Sequence, residues 1–290
     1  MEDGQGRSED ARESAAEGDA ALRLEHGRYV VRLADTEEEI AASQRLRYSV
    51  FVDEMGATPT PESRAERREQ DRFDPFCSHL ILLDNSAYES GGPPPVVGVY
   101  RLLHRTIALG TPEAPGPGFY TANEYDLGPI LRYPSEALEL GRSCVAQAYR
   151  GKAGMQLLWI ALSQYIVIHK VGLMFGTASF HGSEVEPLKV PLSYLWHNHL
   201  APEDLRPRAL DAHYVAMNLV PESEIDKRTA LQMLPALMKG YMRLGGFVGD
   251  GAFIDREFNT VDVCLVMDTT RLSERYTKGY DRRRADRVLG

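Results

Sequence analysis

The run Glu139-Leu-Gly-Arg142 sets a carboxylate and a guanidinium three residues apart in a strand-like stretch. A carboxylate in a partly dry cleft can accept a proton, directly or through a water. The same carboxylate beside Arg142 or Arg101 can equally brace a sheet against a loop. Asp71-x-x-Asp74 offers paired acids for an ammonium, and Arg47, Arg101 and Arg142 offer cations for a carboxylate. Alternatively these five form an ion network that holds a loop without touching a ligand. Arg150 and Lys152 flank Gly151 ahead of a long apolar helix, where they either meet a phosphate at the helix N-terminus or merely border a turn. Two residues apart on a helix, His197 and His199 face different ways, so they make no metal pair. Cys77, Cys144 and Cys264 are scattered and form no C-x-x-C motif, and Cys144 reads as a core thiol. Phe51 reads as a pocket wall or core residue. No metal ligand set is expected.

The elements that must position these side chains follow from patterning. Arg28–Leu33 alternates as a strand, and Asp35 or Thr36 can cap a helix whose first turn holds Glu37, Glu38 and Glu39. That helix carries Ile40, Leu46, Val50 and Phe51 towards a core. Residues 53–76 read as a long, charged, proline-containing loop of the kind that binds something or moves. Strands are predicted at Ser78–Leu83 and Val96–Leu103, joined as a hairpin by Gly91-Gly-Pro-Pro-Pro95, then after a Gly/Pro-rich insertion at Glu136–Val145. A helix over Lys152–Lys170 and a strand over Val171–Ser179 follow. Further on come a helix at Pro191–His199, a strand at Ala209–Leu219 and a helix at Thr229–Arg243 with Leu231, Leu234, Leu237, Met238 and Met242 on one face. Gly249-Asp-Gly251 suggests a turn, Asp250 and Asp255 are acids without an assigned purpose, and Thr260–Met267 is a last strand. The order describes one α/β domain over residues 28–270.

Composition bounds the function. The chain has 290 residues, 43% hydrophobic and 26% charged, with a net charge of −9. A general nucleic-acid binder would carry the opposite balance, because neutralising phosphates needs clustered Lys and Arg. The charge is unevenly spread: residues 1–27 hold eight acids against three arginines, and residues 271–290 hold seven bases against three acids. The first segment has too few large apolar groups to offset ordering entropy and reads as disordered; the second is a basic tail. The acidic start lacks the apolar region of a secretory signal. The uncharged run 153–169 contains Gln156, Ser163 and Gln164 and falls short of the ~20 apolar residues of a membrane span, so a buried helix is expected. Cysteine usage fits a reducing cytoplasm.

Six segments in fixed order carry a family resemblance. They are Arg45–Phe51 followed by Glu54-Met-Gly56, Asp71–Asp74, Val97–Leu103, Glu139–Val145 and Phe258–Val263. Together they resemble the L-ornithine Nα-acyltransferases of bacterial ornithine-lipid synthesis, which belong to the GNAT-like superfamily and are similar to the acyl-homoserine-lactone synthases. The resemblance runs from about residue 28 to residue 268.

It implies an α/β, GNAT-like (acyl-CoA N-acyltransferase) fold: a twisted mixed sheet flanked by helices, with a C-terminal extension and a splayed centre that holds an acyl-pantetheine arm. It further implies transfer of a 3-hydroxyacyl group from acyl carrier protein to the α-amine of ornithine, giving lyso-ornithine lipid. No resident cofactor is needed, since the phosphopantetheine thioester is a co-substrate. By the same resemblance Glu139 is the first choice for the base, with Arg142 beside it. Arg47, Phe51, Asp71, Asp74 and Arg101 shape the substrate pocket, with the paired acids suited to ornithine's distal ammonium. A tyrosine such as Tyr194 is a candidate to protonate the departing thiolate, though a packing role is favoured. The segment Tyr149–Met155 departs from the pyrophosphate loop of CoA-dependent relatives, which favours a carrier-protein arm whose single phosphate meets Arg150 and Lys152. An acidic carrier protein would dock on a basic patch, for which the tail is the best candidate; peripheral contact with anionic lipid of the inner membrane is the other use for it. The alternatives are another acceptor (glycine or glutamine), a lactone synthase, and a non-catalytic binder of acyl chains or carrier protein.

Overall fold

The computed structural model describes residues 22–87, 94–151 and 153–271. Strand β1 (Arg23–His26) turns back at Gly27 and pairs antiparallel with β2 (Tyr29–Leu33). Residues 22–26 are therefore ordered, which corrects the disordered segment expected to run to residue 27. The cause is local: Leu22 and Leu24 alternate with Arg23 and Glu25 and drop into the main core, a signal diluted by the polar residues before it. Residues 1–21 and the tail beyond residue 271 lie outside the described residues.

Helix α1 (Glu37–Arg47) starts at Thr36, whose Oγ1 accepts the Glu39 N–H at 3.2 Å, and it runs into a π-helical turn at Tyr48–Glu54. The expected loop 53–76 is partly regular, with α2 at Pro61–Glu66 and a 3-10 turn at Asp74–Phe76. Next come β3 (Ser78–Asp84), β4 (Val96–His104), α3 (Arg105–Leu109), β5 (Tyr125–Asp126), α4 (Gly128–Leu131) and β6 (Glu136–Val145). Strands β3 and β4 pair antiparallel as a hairpin requires; residues 88–93 between them lie outside the described set. Then follow α5 (Gly154–Ile168), β7 (Val171–His181), α6 (Lys189–His199), β8 (Arg208–Ala209), β9 (Tyr214–Val215), α7 (Lys227–Met233), α8 (Ala236–Arg243), β10 (Phe247–Asp255) and β11 (Thr260–Asp268).

The strands make one mixed sheet in the order β1-β2-β3-β4-β6-β7-β11-β10-β8-β5, with β9 on β10. Alternate residues serve its two faces, as a period of two demands: Leu80, Leu82, Leu102 and Leu138 pack with Leu158 and Leu162 of α5, while Ile81, Leu83 and Val99 pack with Leu46 and Val50. A further cluster around Phe119, Ile130, Phe175 and Val266 closes the centre.

Three further expectations differ from the structure. The strand at Ala209–Leu219 is two short pieces interrupted by a 3-10 turn at Asp211–His213. The helix at Thr229–Arg243 is broken at Leu234, which the ring of Pro235 forces into an extended conformation (φ −65°, ψ 137°). Gly249-Asp-Gly251 is a register shift within β10 between Val248 and Ala252 and not a turn.

Candidate active site

The site begins where two parallel strands part. Strands β6 and β7 pair from Glu136↔Val171 to Glu139↔Phe175, and the pairing ends there; both continue, bonded to their outer neighbours β4 and β11. Gly176 stands at the fork, where a Cβ would lie 2.1 Å from the Leu140 carbonyl oxygen, so the close approach requires glycine. The splay opens a cavity of about 590 Å³ lined by residues 139–145 of β6 and 174–179 of β7. Met155, Trp159, Leu237 and Tyr241 add an apolar wall. Gly240 lets α8 lie directly on that wall, since a Cβ would meet the Trp159 ring at 1.6 Å.

Glu139 is buried on the cavity wall just before the fork. Its Oε1 accepts the Thr121 N–H at 2.7 Å and its Oε2 the Tyr120 N–H at 3.1 Å, both from the 3-10 turn Tyr120–Asn123. Burial raises its pKa above the usual carboxylate value, opposed by these hydrogen bonds and by the charge of Arg101. Among the described residues neither Arg142 nor Arg101 is bonded to Glu139, so the alternative reading of Glu139 as a brace to one of them has no ion pair behind it; backbone amides hold it instead.

Arg142 sits in a bulge. Between the pairs Val99↔Cys144 and Arg101↔Gly141, Arg142 and Ser143 of β6 face Tyr100 alone, and Arg142 takes a left-handed φ of 51°. Such a conformation costs about 1–3 kcal/mol in a non-glycine residue and persists where surroundings hold it. They do. Arg142 donates from Nε to Glu69 (3.0 Å) and from a terminal nitrogen to Asp71 (3.1 Å), and its guanidinium stacks 4.3 Å from the Tyr120 ring and 4.6 Å from Phe258.

Those ion pairs belong to a closed ring. Arg47 bonds Asp74 (2.7 Å), Asp74 bonds Arg101 (3.2 Å), Arg101 bonds Asp71 (2.7 Å), Asp71 bonds Arg142, Arg142 bonds Glu69, and Glu69 bonds Arg47 (2.6 Å). Three cations meet three anions, so no member carries an uncompensated charge. Burial pushes Asp74 up, but the hydrogen bonds and charge of Arg47, with Arg101, more than offset this and hold it well below the usual carboxylate range. All five residues singled out in the sequence for this network are in the ring; Glu69, buried in a run of alternating charges, was not. Only Arg101 and Arg142 of the ring line the cavity. Phe51 lines it too, edge-on to Phe258 at 6.0 Å between ring centres.

A second group of carboxylates has no such partners. Oxygens of Glu124, Asp255 and Asp262 all lie within 4.8 Å of one another, and Asp255 and Asp262 line the same cavity as Glu139. Glu124 is 3% exposed, yet among the described residues neither of its carboxylate oxygens has a hydrogen-bond partner, nor has Oδ1 of Asp262. Burial and then the charge of Asp262 raise the Glu124 pKa well above the usual value; burial, with the repulsion of Asp255, pushes Asp262 up to about 6. The sequence left Asp255 without a purpose, held Asp262 only as part of the segment Phe258–Val263 with no role attached, and did not single out Glu124. Asp262 did leave a trace, as a carboxylate inside the otherwise apolar run Val261–Met267.

The remaining predicted residues are less central. Arg150 lines the cavity beside Gly151, but its guanidinium is already engaged by Glu54 (2.6 Å) and the Val145 carbonyl (2.9 Å). Lys152 lies outside the described residues. Tyr194 is buried against His199 and away from this cavity, as a packing tyrosine; Tyr100 and Tyr241 are cavity tyrosines, with Tyr100 accepting the Trp159 N–H at 3.2 Å. Cys144 is a buried free thiol, pushed up to about 12 by desolvation. No helix among the described residues is long and apolar enough to cross a membrane.

A mixed sheet that splays beside a bulged strand, with a buried carboxylate at the fork, defines a GNAT-type acyltransferase, and an acetyltransferase (GNAT) domain model matches residues 46–160. Two curated L-ornithine N(alpha)-acyltransferases are similar along nearly the whole chain. That of Rhodobacter capsulatus is 48% identical over 88% of this chain and 95% of its own; that of Brucella abortus is 41% identical over 92% and 93%. The chain belongs to the L-ornithine Nα-acyltransferase family. Among solved structures, the N-acyl amino acid synthase FeeM from uncultured soil microbes aligns over 84% of this chain and 92% of that one, at 9% identity and a TM-score of 0.42.

Proposed function

We propose that the protein transfers a 3-hydroxyacyl group from the phosphopantetheine thioester of acyl carrier protein to the α-amino group of ornithine, yielding lyso-ornithine lipid. The observation that carries this reading is the cavity in the β6/β7 splay, with Glu139 at its fork and an apolar wall. The main-chain groups of β6 beyond Glu139 have no ladder partner on the β7 side and suit the amides of a pantetheine arm. The apolar wall around Trp159 and Leu237 suits an alkyl chain. Ornithine as the acceptor is supported by the names of the curated relatives.

Glu139, oriented by the Tyr120 and Thr121 amides, takes the proton of the attacking amine, directly or through a water. The amine nitrogen bonds the thioester carbonyl carbon, the carbon–sulfur bond breaks, and the thiolate leaves and is protonated. The raised pKa of Glu139 brings the base closer to the operating pH than an exposed glutamate would be. Arg142, fixed in its bulge, shapes the wall opposite the splayed strand. The phosphate of the carrier arm would displace Glu54 from Arg150, an exchange of one partly exposed ion pair for another, worth about 0–1 kcal/mol. The basic tail is the proposed contact for carrier protein or anionic lipid at the inner membrane.

The test is to incubate purified protein with 3-hydroxyacyl carrier protein and a panel of amino acids, following free thiol and product mass. Thiol release that requires ornithine and gives N-acylornithine supports the reading. No release with any amino acid, or release with S-adenosylmethionine but not ornithine, would overturn it.

A further inference from the structure

We infer that Glu124, Asp255 and Asp262 hold the distal ammonium of the amino-acid acceptor and so select a diamino acid over its neutral analogue. This rests on the acceptor reading above and assigns to other residues the ammonium site that the sequence suggested for Asp71 and Asp74.

Four observations lead here. Both oxygens of Glu124 are buried without a partner, which costs about 1–3 kcal/mol or more for a charged group and marks a site completed by something else. Asp255 and Asp262 open onto the cavity that Glu139 also lines, so a ligand can touch the trio and the base together. One short segment carries both functions: Tyr120 and Thr121 clamp Glu139, and Glu124 ends the same turn. The nearest cation is accounted for, because Arg142 is held by Glu69 and Asp71 and is stacked between two rings. Arg142 acts on the trio only through its charge and bonds none of its members, while each ring acid already pairs with two arginines and none lines the cavity. An ammonium suits three convergent carboxylates because it presents three donors.

The experiment compares ornithine with norvaline, which lacks only the distal amine, as acceptors for wild-type protein and the variants Asp255→Asn and Glu124→Gln. The readout is the ratio of their kcat/KM values, with thermal melts confirming that each variant is folded. Wild-type protein should prefer ornithine strongly, and each variant should lower that preference about 10- to 100-fold, the size of a lost charge-assisted hydrogen bond. Transfer to ornithine with a preference that neither variant moves overturns the inference and leaves the proposed function standing; no transfer to ornithine overturns both. A preference that disappears on chelation and returns with Mg²⁺ or Ca²⁺ would assign the carboxylates to a metal and overturn the ammonium site.

Discussion

Two groups of three carboxylates flank one cavity and have opposite electrostatics. In the ring, Glu69, Asp71 and Asp74 alternate with Arg47, Arg101 and Arg142, and every charge has two opposite neighbours. In the trio, Glu124, Asp255 and Asp262 face one another, and among the described residues no arginine is bonded to any of them. Burial alone does not separate the two groups, since Asp74, Glu124 and Asp262 are each at least nine-tenths buried. Compensation does. Buried charges that pair with each other anchor the loop carrying Glu69–Asp74 against β4 and β6, whereas Glu124 and Asp262 are buried beside the half-buried Asp255 and repel it and each other, an arrangement that stays in the fold only at a cost.

Glu139 is a third case, a buried acid held by backbone amides, and it carries the largest expected effect. Glu139→Gln should lower turnover about 10²–10⁴-fold. Its stability cost should stay near 1–3 kcal/mol, because one of the two amides loses its acceptor. Equal turnover in wild type and variant would reduce Glu139 to a brace for residues 120–121.

Breaking the ring comes next. Arg47 is fully buried, and Arg47→Met leaves Glu69 and Asp74 without it, so a loss of about 3–5 kcal/mol is expected, a Tm fall of roughly 6–20 °C. If the melting curve moves by less than a degree or two, the ring is not what holds the loop.

The trio should respond with the opposite sign. Asp262 has a folded pKa of about 6 against ~3.9 unfolded, so its contribution to stability is fully present below pH ~4 and is lost as pH rises through 6. Asp262→Asn should therefore gain on wild type between pH 5 and 8, by at most about 3 kcal/mol. For Asp74, whose pKa is depressed, stability is present above pH ~4 and is lost as pH falls towards its folded value. Denaturation midpoints of both proteins across pH 3–8 would expose the two limbs, and parallel curves would remove the contrast between ring and trio.

The smallest effect belongs to the surface. Arg150→Gln breaks a partly exposed pair with Glu54 and should change stability by less than about 1 kcal/mol, while raising KM for acyl carrier protein several-fold. An unchanged KM would take Arg150 out of donor binding.

Local chemistry made much of the fold legible. Strand Glu136–Val145 has the bounds its pattern predicts, Thr36 caps the helix its side chain can cap, and the apolar run after residue 152 is the long helix packed on the sheet. These depend on neighbours within a few residues, on period and on capping, so a single sequence contains them. The helical apolar period runs across Pro235 although the proline ends the helix, and the short alternation of β1 at Arg23–His26 is diluted by the acidic segment before it. Of the candidate site, Glu139 and five of the six ring residues were legible because they fall in recognisable motifs. Glu69 was not, lying among alternating charges that resemble a solvated loop.

Which acid meets which base was decided only in three dimensions. Arg47 and Arg142 share Glu69 across 22 and 73 residues, and Glu124 comes near Asp262 across a gap of 138. Such pairings depend on the register of distant strands and on a bulge that turns Arg142 towards the loop. The sequence determined that acids and arginines would crowd this domain's centre; the tertiary structure determined which acids are neutralised there and which are left for a ligand, because Coulomb energy in a low-dielectric interior depends on separations of a few ångströms that no spacing along the chain encodes.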